Sequence, residues 1–194
     1  MKIKSAITGF CLVAVALTAK ANYDIGFQTY DFNDLNQHVA FDFGGVNRLT
    51  GPAFVGQLYV GPTVGSLAAI GSPVPFATLG SGAEGFVDSG TISVVDASLN
   101  AGSSAVYSLR AWDFVSGASY EAALATPGAH VGQSAATAIT LGGTVPGNPP
   151  TLLTATANLH PSFTLSIVPV AVPEPSVLAL GLLGGAALLF RRRK

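Results

Sequence analysis

Residues 104–114 read SAVYSLRAWDF, and their side chains alternate between two faces. One face carries Ala105, Tyr107, Leu109 and Ala111, and the other carries Val106, Ser108, Arg110 and Trp112. A period of two is the spacing of a β-strand, because successive side chains of a strand point to opposite sides of the sheet. The segment therefore predicts a strand.

Shorter segments of similar character lie on both sides of it, each bounded by turn residues. They span residues 36–42, 53–60, 74–79, 90–96 and 134–141 and the alternating run of Phe163, Leu165 and Ile167. Nineteen glycines and ten prolines punctuate residues 22–172, and no long apolar stripe with helical spacing occurs there. We therefore expect an all-β fold, a single antiparallel β-sandwich or jelly roll with little helix. A β-solenoid is the alternative, although no fixed repeat length is visible.

The amino terminus has the layout of a secretory signal peptide. Lys2 and Lys4 form a basic start, an apolar run of about 14 residues follows, and Ala19 and Ala21 frame a small-x-small cleavage site. Asn22 would be the first residue of the mature chain. Cys11, the single cysteine, lies inside this signal, so the mature chain would contain neither a disulfide nor a cysteine nucleophile.

The carboxyl terminus has a second apolar segment with a basic end. The motif Pro173-Glu174-Pro175 comes first, residues 176–190 are small and apolar, and the sequence then reads Arg191, Arg192, Arg193, Lys194. Fifteen helical residues span about 22 Å, which is short for a hydrocarbon core of about 30 Å. The basic cluster would keep this end in the cytoplasm and leave the preceding residues on the outer face of the membrane.

This order of motif, apolar run and basic cluster resembles the PEP-CTERM sorting signal of Gram-negative bacteria. The resemblance implies export by the Sec machinery, transient retention in the inner membrane as a transmembrane helix, and cleavage near the Pro-Glu-Pro motif by an exosortase. The Sec machinery, the membrane and the exosortase are therefore the expected partners. The association of this family with exopolysaccharide producers makes exopolysaccharide a further expected partner. An ordinary permanent membrane anchor is the alternative for the tail.

These features divide the chain into five parts. They are a signal peptide over 1–21, a β-sandwich domain over 22–168, a linker with the Pro-Glu-Pro motif over 169–175, a sorting segment over 176–190 and a basic tail over 191–194. Signal and sorting segments are expected to be helical.

The charge of the expected mature body differs from that of the whole chain. Residues 22–172 contain two basic residues, Arg48 and Arg110, and nine acidic ones, a formal charge of −7. Nucleic acid is therefore not expected as a partner. The acidic surface fits simple colloidal repulsion outside the cell, and attraction of divalent cations is the alternative.

One acidic segment partly matches a calcium-binding loop. Asp31, Asn33 and Asp42 occupy positions 1, 3 and 12 of the template. Position 6 is Asn36 where the template requires glycine, so the tight turn is not specified. Turn and strand-edge roles for these acids are favoured, so no cofactor is expected, and calcium is the alternative.

Tyr107, Arg110 and Trp112 form the candidate ligand site. Arg110 and Trp112 share a strand face, and on a surface they would offer an aromatic platform and a hydrogen-bonding fork for a sugar. The favoured interpretation places Trp112 in the core and pairs Arg110 with Glu121 or Asp113. The segment after Gly117, with Tyr120 and Glu121, is interpreted as the second strand of a hairpin.

No catalytic motif is recognisable, and the three histidines His38, His130 and His160 are scattered. We therefore expect a protein that is not an enzyme. The resemblance to PEP-CTERM proteins implies a structural or adhesive role at the cell surface or in the extracellular matrix of a biofilm. A carbohydrate-binding module is the alternative, and a secreted hydrolase ranks third.

Overall fold

A computed structural model describes residues 22–30, 39–42, 44–96, 98–143, 149–154 and 158–170. Most of their regular structure is strand, so the expected all-β class is confirmed. Within these ranges the strands are β1 (Asn22–Gln28), β2 (Ala40–Phe41), β3 (Phe54–Gly61), β4 (Ala68–Pro75), β5 (Asp88–Val95), β6 (Ser104–Asp113), β7 (His130–Gln133), β8 (Thr137–Thr140), β9 (Thr151–Leu152), β10 (Phe163–Thr164) and β11 (Ser166–Ile167). The helical elements there are the α-helix α1 (Tyr120–Leu124) and two 3₁₀ turns, Val64–Ser66 and Phe114–Ser116.

The largest sheet has six strands and is centred on β6. Its order is β11-β7-β6-β3-β4, and β8 pairs with the first half of β6 on the same side as β7. All of these pairs are antiparallel, and the β3–β6 ladder runs from Phe54 opposite Asp113 to Gly61 opposite Val106. The segment quoted first, residues 104–114, thus forms a central strand of the main sheet.

Two smaller sheets complete the described fold. In the first, β1 pairs antiparallel with β5 and parallel with β9. In the second, β10 pairs parallel with β2. Strand β1 was not among the sequence candidates, although Tyr23, Ile25 and Phe27 alternate in it and all three are fully buried.

The main core lies between β1 and one face of the six-stranded sheet. It joins the three apolar side chains of β1 to side chains from β3 and β6, among them Leu58, Val60, Tyr107, Leu109 and Ala111. Burying one such large side chain stabilises the fold by about 1.5–3 kcal/mol. We call this face of the six-stranded sheet the inner face.

A second, smaller core covers the outer face of the same sheet. Val55, Tyr59, Trp112 and Val131 project from the strands, and Tyr120 and Ala123 of α1 pack on them with Ala129. Ser119 begins the helix, because its side chain accepts a hydrogen bond from the backbone N–H of Ala122 at 3.2 Å. Both faces of β6 are therefore buried.

The structure corrects the boundaries of several predicted elements. Residues 119–121 do not form a returning strand, because Tyr120 and Glu121 start α1 and the next strand along the chain that pairs with β6 is β7. The strand predicted over 74–79 overlaps β4 only at Val74 and Pro75, because β4 begins at Ala68 and ends at Pro75, and Leu79 is an exposed turn residue. The predicted strands over 53–60 and 90–96 correspond to β3 and β5. The described part of the segment 36–42 contains β2, and the segment 134–141 shortens to β8. Residues 31–38 lie outside the described ranges.

Among the described residues, no helix is both long and apolar enough to cross a membrane. The predicted signal peptide over 1–21, including Ala19 and Ala21, lies outside those residues, as does the tail from residue 171. Asn22, the predicted first mature residue, is the first residue of β1.

Candidate functional site

Arg110 occupies the centre of the outer face of the six-stranded sheet. It lies opposite Gln57 of β3 on one side and Gln133 of β7 on the other. Its side chain is 19% exposed, because α1 covers this part of the sheet. An arginine there must find partners on the strands and on the helix.

Two aromatic rings and one carboxylate surround the guanidinium group. Its central carbon lies 4.0 Å from the centroid of the Tyr59 ring and 5.0 Å from that of Tyr120. Nη1 donates a hydrogen bond of 3.0 Å to Oε1 of Glu121, with which it also forms a salt bridge. Cation–π attraction and the ion pair therefore act on the same group. Of the two acids considered for Arg110, the structure selects Glu121.

The tyrosines of this cluster are held in their neutral form. The Tyr59 hydroxyl donates to the Glu121 carboxylate, whose two oxygens both lie 2.9 Å away. Burial, with this hydrogen bond, raises the pKa of Tyr59 to about 12. Burial also raises the pKa of Tyr120. We call Tyr59, Arg110, Tyr120 and Glu121 the Arg110 cluster.

Trp112 lies beside the Arg110 cluster but below the surface. Its side chain is 0% exposed, and Nε1 donates a hydrogen bond of 2.8 Å to the carbonyl of Gly117. Its ring meets Tyr120 edge to face, with centroids 6.3 Å apart. This is the core position that the sequence favoured for the tryptophan.

Tyr107, the third candidate for ligand contact, is on the opposite face of β6. It is fully buried in the main core, and its hydroxyl donates to the carbonyl of Asn158. The structure therefore brings Arg110 and Trp112 to one face and separates them from Tyr107. At these three positions the folded chain offers no exposed aromatic platform. The contacts of the Arg110 cluster instead attach α1 to the six-stranded sheet.

An apolar groove lies next to the Arg110 cluster, beyond the part of the outer face that α1 covers. It has a volume of about 280 Å³, and its lining consists of Pro52, Val55, Pro73, Pro75 and Phe114. Pro73 and Pro75 lie on β4, at the edge of the sheet, where a missing N–H leaves no central ladder bond unmade. Sequence reasoning did not identify this groove. Pro73 and Pro75 are two residues apart and so share one face of a strand, and this spacing was the sequence signal that could have indicated the groove.

The hydrolase alternative would require a histidine, an acid and a serine in one site, and His130, Asp113 and Ser134 do not meet this requirement. Nδ1 of His130 lies 3.5 Å from Oδ2 of Asp113. Ser134 is about 13 Å further along an extended chain. It is buried, and its Oγ accepts a hydrogen bond of 3.0 Å from the N–H of Leu109. That bond fills the gap in the ladder between β7 and β8.

Of the three candidate calcium ligands, Asp42 alone lies among the described residues. Asp31 and Asn33 lie outside the described residues. The Asp42 carboxylate accepts hydrogen bonds from the Asn47 side chain at 2.8 Å and from the N–H groups of Gly44, Val46 and Asn47 at 3.1–3.3 Å. These bonds, that of the Asn47 side chain first, lower the pKa of Asp42. Among the described residues, no three His, Cys, Asp or Glu side chains converge on one point.

Comparison with known proteins supplies no relative for this chain. Searches of protein-family models, of curated proteins and of solved structures each found no match. The resemblance to PEP-CTERM proteins therefore depends on the sequence of the tail.

Proposed function

We propose that this chain is an exported β-sandwich protein that an exosortase sorts and processes, with a structural or adhesive role at the cell surface or in the exopolysaccharide matrix. The observation that carries the proposal is the tail. Pro173-Glu174-Pro175, the apolar run 176–190 and the cluster Arg191 to Lys194 follow one another in the order of a sorting signal. A Sec-exported, inner-membrane-tethered precursor would precede the released form.

The architecture of the body is consistent with such a role. The sheet of β1, β5 and β9 packs on the inner face of the six-stranded sheet around one core, and this packing of two sheets supports the proposed sandwich. This core draws residues from Tyr23 to Leu165. A body of this kind is suited to display on a tether, because its last described strand, β11, is separated from Pro173 by only five residues.

The Arg110 cluster also favours a structural role over sugar binding. Its guanidinium is already stacked on Tyr59 and Tyr120 and paired with Glu121. A ligand would have to displace contacts that hold α1 on the sheet. A stable, acidic and inert surface is what a matrix component needs outside the cell.

The test is the intact mass of the protein recovered from its native host, with both ends mapped by peptide mass spectrometry. The expected product begins at Asn22 and lacks the segment after Pro175. A chain with neutral residues at 191–194 is the control, and it should lose its processing. A mature protein that retains Arg191 to Lys194 would be a permanently anchored protein, and the sorting proposal would fail.

A further inference from the structure

The chain leaves the described body beside the loop that follows α1. After β11, the N–H of Val168 donates to the carbonyl of Ala129 at 2.8 Å, and the N–H of Gly128 donates to the carbonyl of Val168 at 2.9 Å. A Cβ placed on Gly128 would lie 3.9 Å from Cγ2 of Val170. The last described residues are therefore fixed to this end of the molecule.

The 3₁₀ turn after β6 lies at the same end. The Thr126 hydroxyl donates a hydrogen bond of 3.0 Å to the carbonyl of Ser116, which connects the turn to the loop after α1. The N–H of Phe114 donates to the carbonyl of Ala53 at 2.9 Å. The turn, the end of α1 and the point of chain exit thus form one continuous region.

This region exposes large apolar side chains. They are Phe114, exposed by 56%, Val115 by 90%, Leu124 by 50% and Val170 by 60%. We call these four residues the exit surface. Isolated exposed apolar residues are ordinary, but several at one end of a molecule indicate a contact site.

The charge around the exit surface is low. Between residues 113 and 130 the ionisable side chains that carry or can carry charge near neutral pH are Asp113, Glu121 and His130. The Glu121 carboxylate is bound by Arg110 and Tyr59, and the Asp113 carboxylate, 15% exposed, lies 3.5 Å from the His130 ring. From residue 111 to residue 190 the sequence contains no lysine or arginine. Placing this surface in an apolar medium would therefore desolvate few charges.

The tether after the exit is short. Five residues, 171–175, separate Val170 from the apolar run that starts at Ser176. Even fully extended they span about 17 Å. Headgroup layers occupy about 5–8 Å on each side of the hydrocarbon core. A run inserted in the bilayer would thus hold the exit surface close to the headgroups.

We propose that the exit surface rests on the lipid bilayer, with Phe114 and Val115 entering the boundary between headgroups and acyl chains. This proposal rests on the proposed function, since it concerns the stage at which residues 176–190 still tether the body. The body would then have a fixed orientation, with the 3₁₀ turn toward the lipid and the β3–β4 turn away from it. Apolar contact provides the attraction, because the net charge of the body attracts no anionic lipid.

The chain offers a matched pair of positions for the test. Val64 and Val115 are both exposed valines in 3₁₀ turns, and they lie at opposite ends of the β3–β6 ladder. With Cys11→Ser, the variants Val115→Cys and Val64→Cys each have a single thiol. The membrane-tethered precursor, which still carries residues 176–194, would be labelled there with an environment-sensitive dye and reconstituted into phosphatidylcholine vesicles that contain spin-labelled lipid. A third variant, Leu183→Cys, reports insertion of the tail.

The expected result is strong quenching of the dye at position 183 by deep spin labels, strong quenching at position 115 by shallow ones, and at least threefold weaker quenching at position 64. Adding Phe114→Ser to Val115→Cys should reduce the quenching at least twofold. Equal quenching at positions 64 and 115, with the tail label inserted, overturns the membrane contact and leaves the proposed function intact. A dye that shifts to the blue at position 115 without lipid quenching shows contact with another protein copy and also overturns it. A tail label that no lipid quenches counts against the proposed function itself.

Discussion

The guanidinium of Arg110 stacks 4.0 Å above the ring of Tyr59, although the two residues are not direct partners in the β3–β6 ladder. Arg110 lies opposite Gln57, and Tyr59 lies opposite Ser108, so the contact runs diagonally across the two strands. The same guanidinium binds Glu121 of α1. One side chain therefore fastens the helix to the sheet.

We expect Arg110→Ala to lower the free energy of unfolding by about 1–3 kcal/mol. The substitution removes two ring contacts and an ion pair, and it leaves Glu121 with Tyr59 alone. Urea unfolding followed by circular dichroism measures the change. Arg48→Ala is the comparison variant. Its guanidinium lies 5.9 Å from the centroid of the Phe86 ring, farther than the 4.0 Å between Arg110 and the Tyr59 ring. Its charge acts on the partly exposed Glu84, so we expect a smaller loss. Equal losses of unfolding free energy in the two variants would contradict the role of Arg110 in attaching α1 to the sheet.

Trp112 should emit as a fully buried indole. We expect blue-shifted fluorescence that iodide does not quench in the folded chain and does quench in urea, because the side chain is 0% exposed. Trp112→Phe should cost about 1–2 kcal/mol, since the Gly117 carbonyl loses its 2.8 Å partner. Red-shifted, quenchable emission in the folded chain would refute the core position and return Trp112 to the candidate sugar contacts.

The sequence predicted most accurately the strands whose side chains alternate regularly between two faces. In β6 the period of two located both faces correctly, because the inner face packs on β1 and the outer face on α1. The same alternation is present in β1, in Tyr23, Ile25 and Phe27, but this segment directly follows the predicted signal peptide and was not among the predicted strands. The local sequence pattern is sufficient to predict a strand where apolar and polar side chains alternate along the whole segment.

The helix and the Arg110 contacts could not be predicted in this way. Residues 120–124 form a helix of only five residues, and it is stabilised by packing of Tyr120 and Ala123 on the sheet and by the cap at Ser119. The pairing of Arg110 with Glu121 was one of two candidates, since the choice depends on where α1 docks. Tertiary contacts, which sequence spacing does not encode, determined both.

Two glycines of the β3–β4 connection should respond in opposite directions to alanine. A Cβ on Gly61 would collide with the carbonyl oxygen of Ser66, whereas a Cβ on Gly65 meets nothing within 4 Å. We expect Gly61→Ala to destabilise the fold by about 1–3 kcal/mol through this clash. Gly65→Ala should be neutral or stabilising by up to about 1 kcal/mol, because it restricts the unfolded chain. The measurement is the melting temperature of each variant in thermal unfolding. Similar melting temperatures would contradict the close approach of Gly61 to Ser66.

Alkaline pH should unfold the protein through its buried tyrosines. Burial, and then the charge of Asp96, raises the pKa of Tyr23 to about 12, and burial with the Glu121 hydrogen bond raises that of Tyr59 to about 12. Burial raises the pKa of Tyr107 as well. In the unfolded chain tyrosine ionises near pH 10. The folded state therefore holds these protons more tightly, its stability is complete below about pH 10, and the stability falls as the pH rises toward 12.

The measurement is the ultraviolet absorbance of tyrosinate against pH, recorded together with circular dichroism. We expect the ionisation of the buried tyrosines to coincide with loss of the strand signal between about pH 10 and 12. Tyr59→Phe is the matched variant, since it removes one late-ionising group from the second core and should make stability decline less steeply over that interval. Ionisation of all five tyrosines near pH 10 with the strand signal intact would show that these hydroxyls reach solvent in the folded chain, and the burial of Tyr23 and Tyr59 would have to be abandoned.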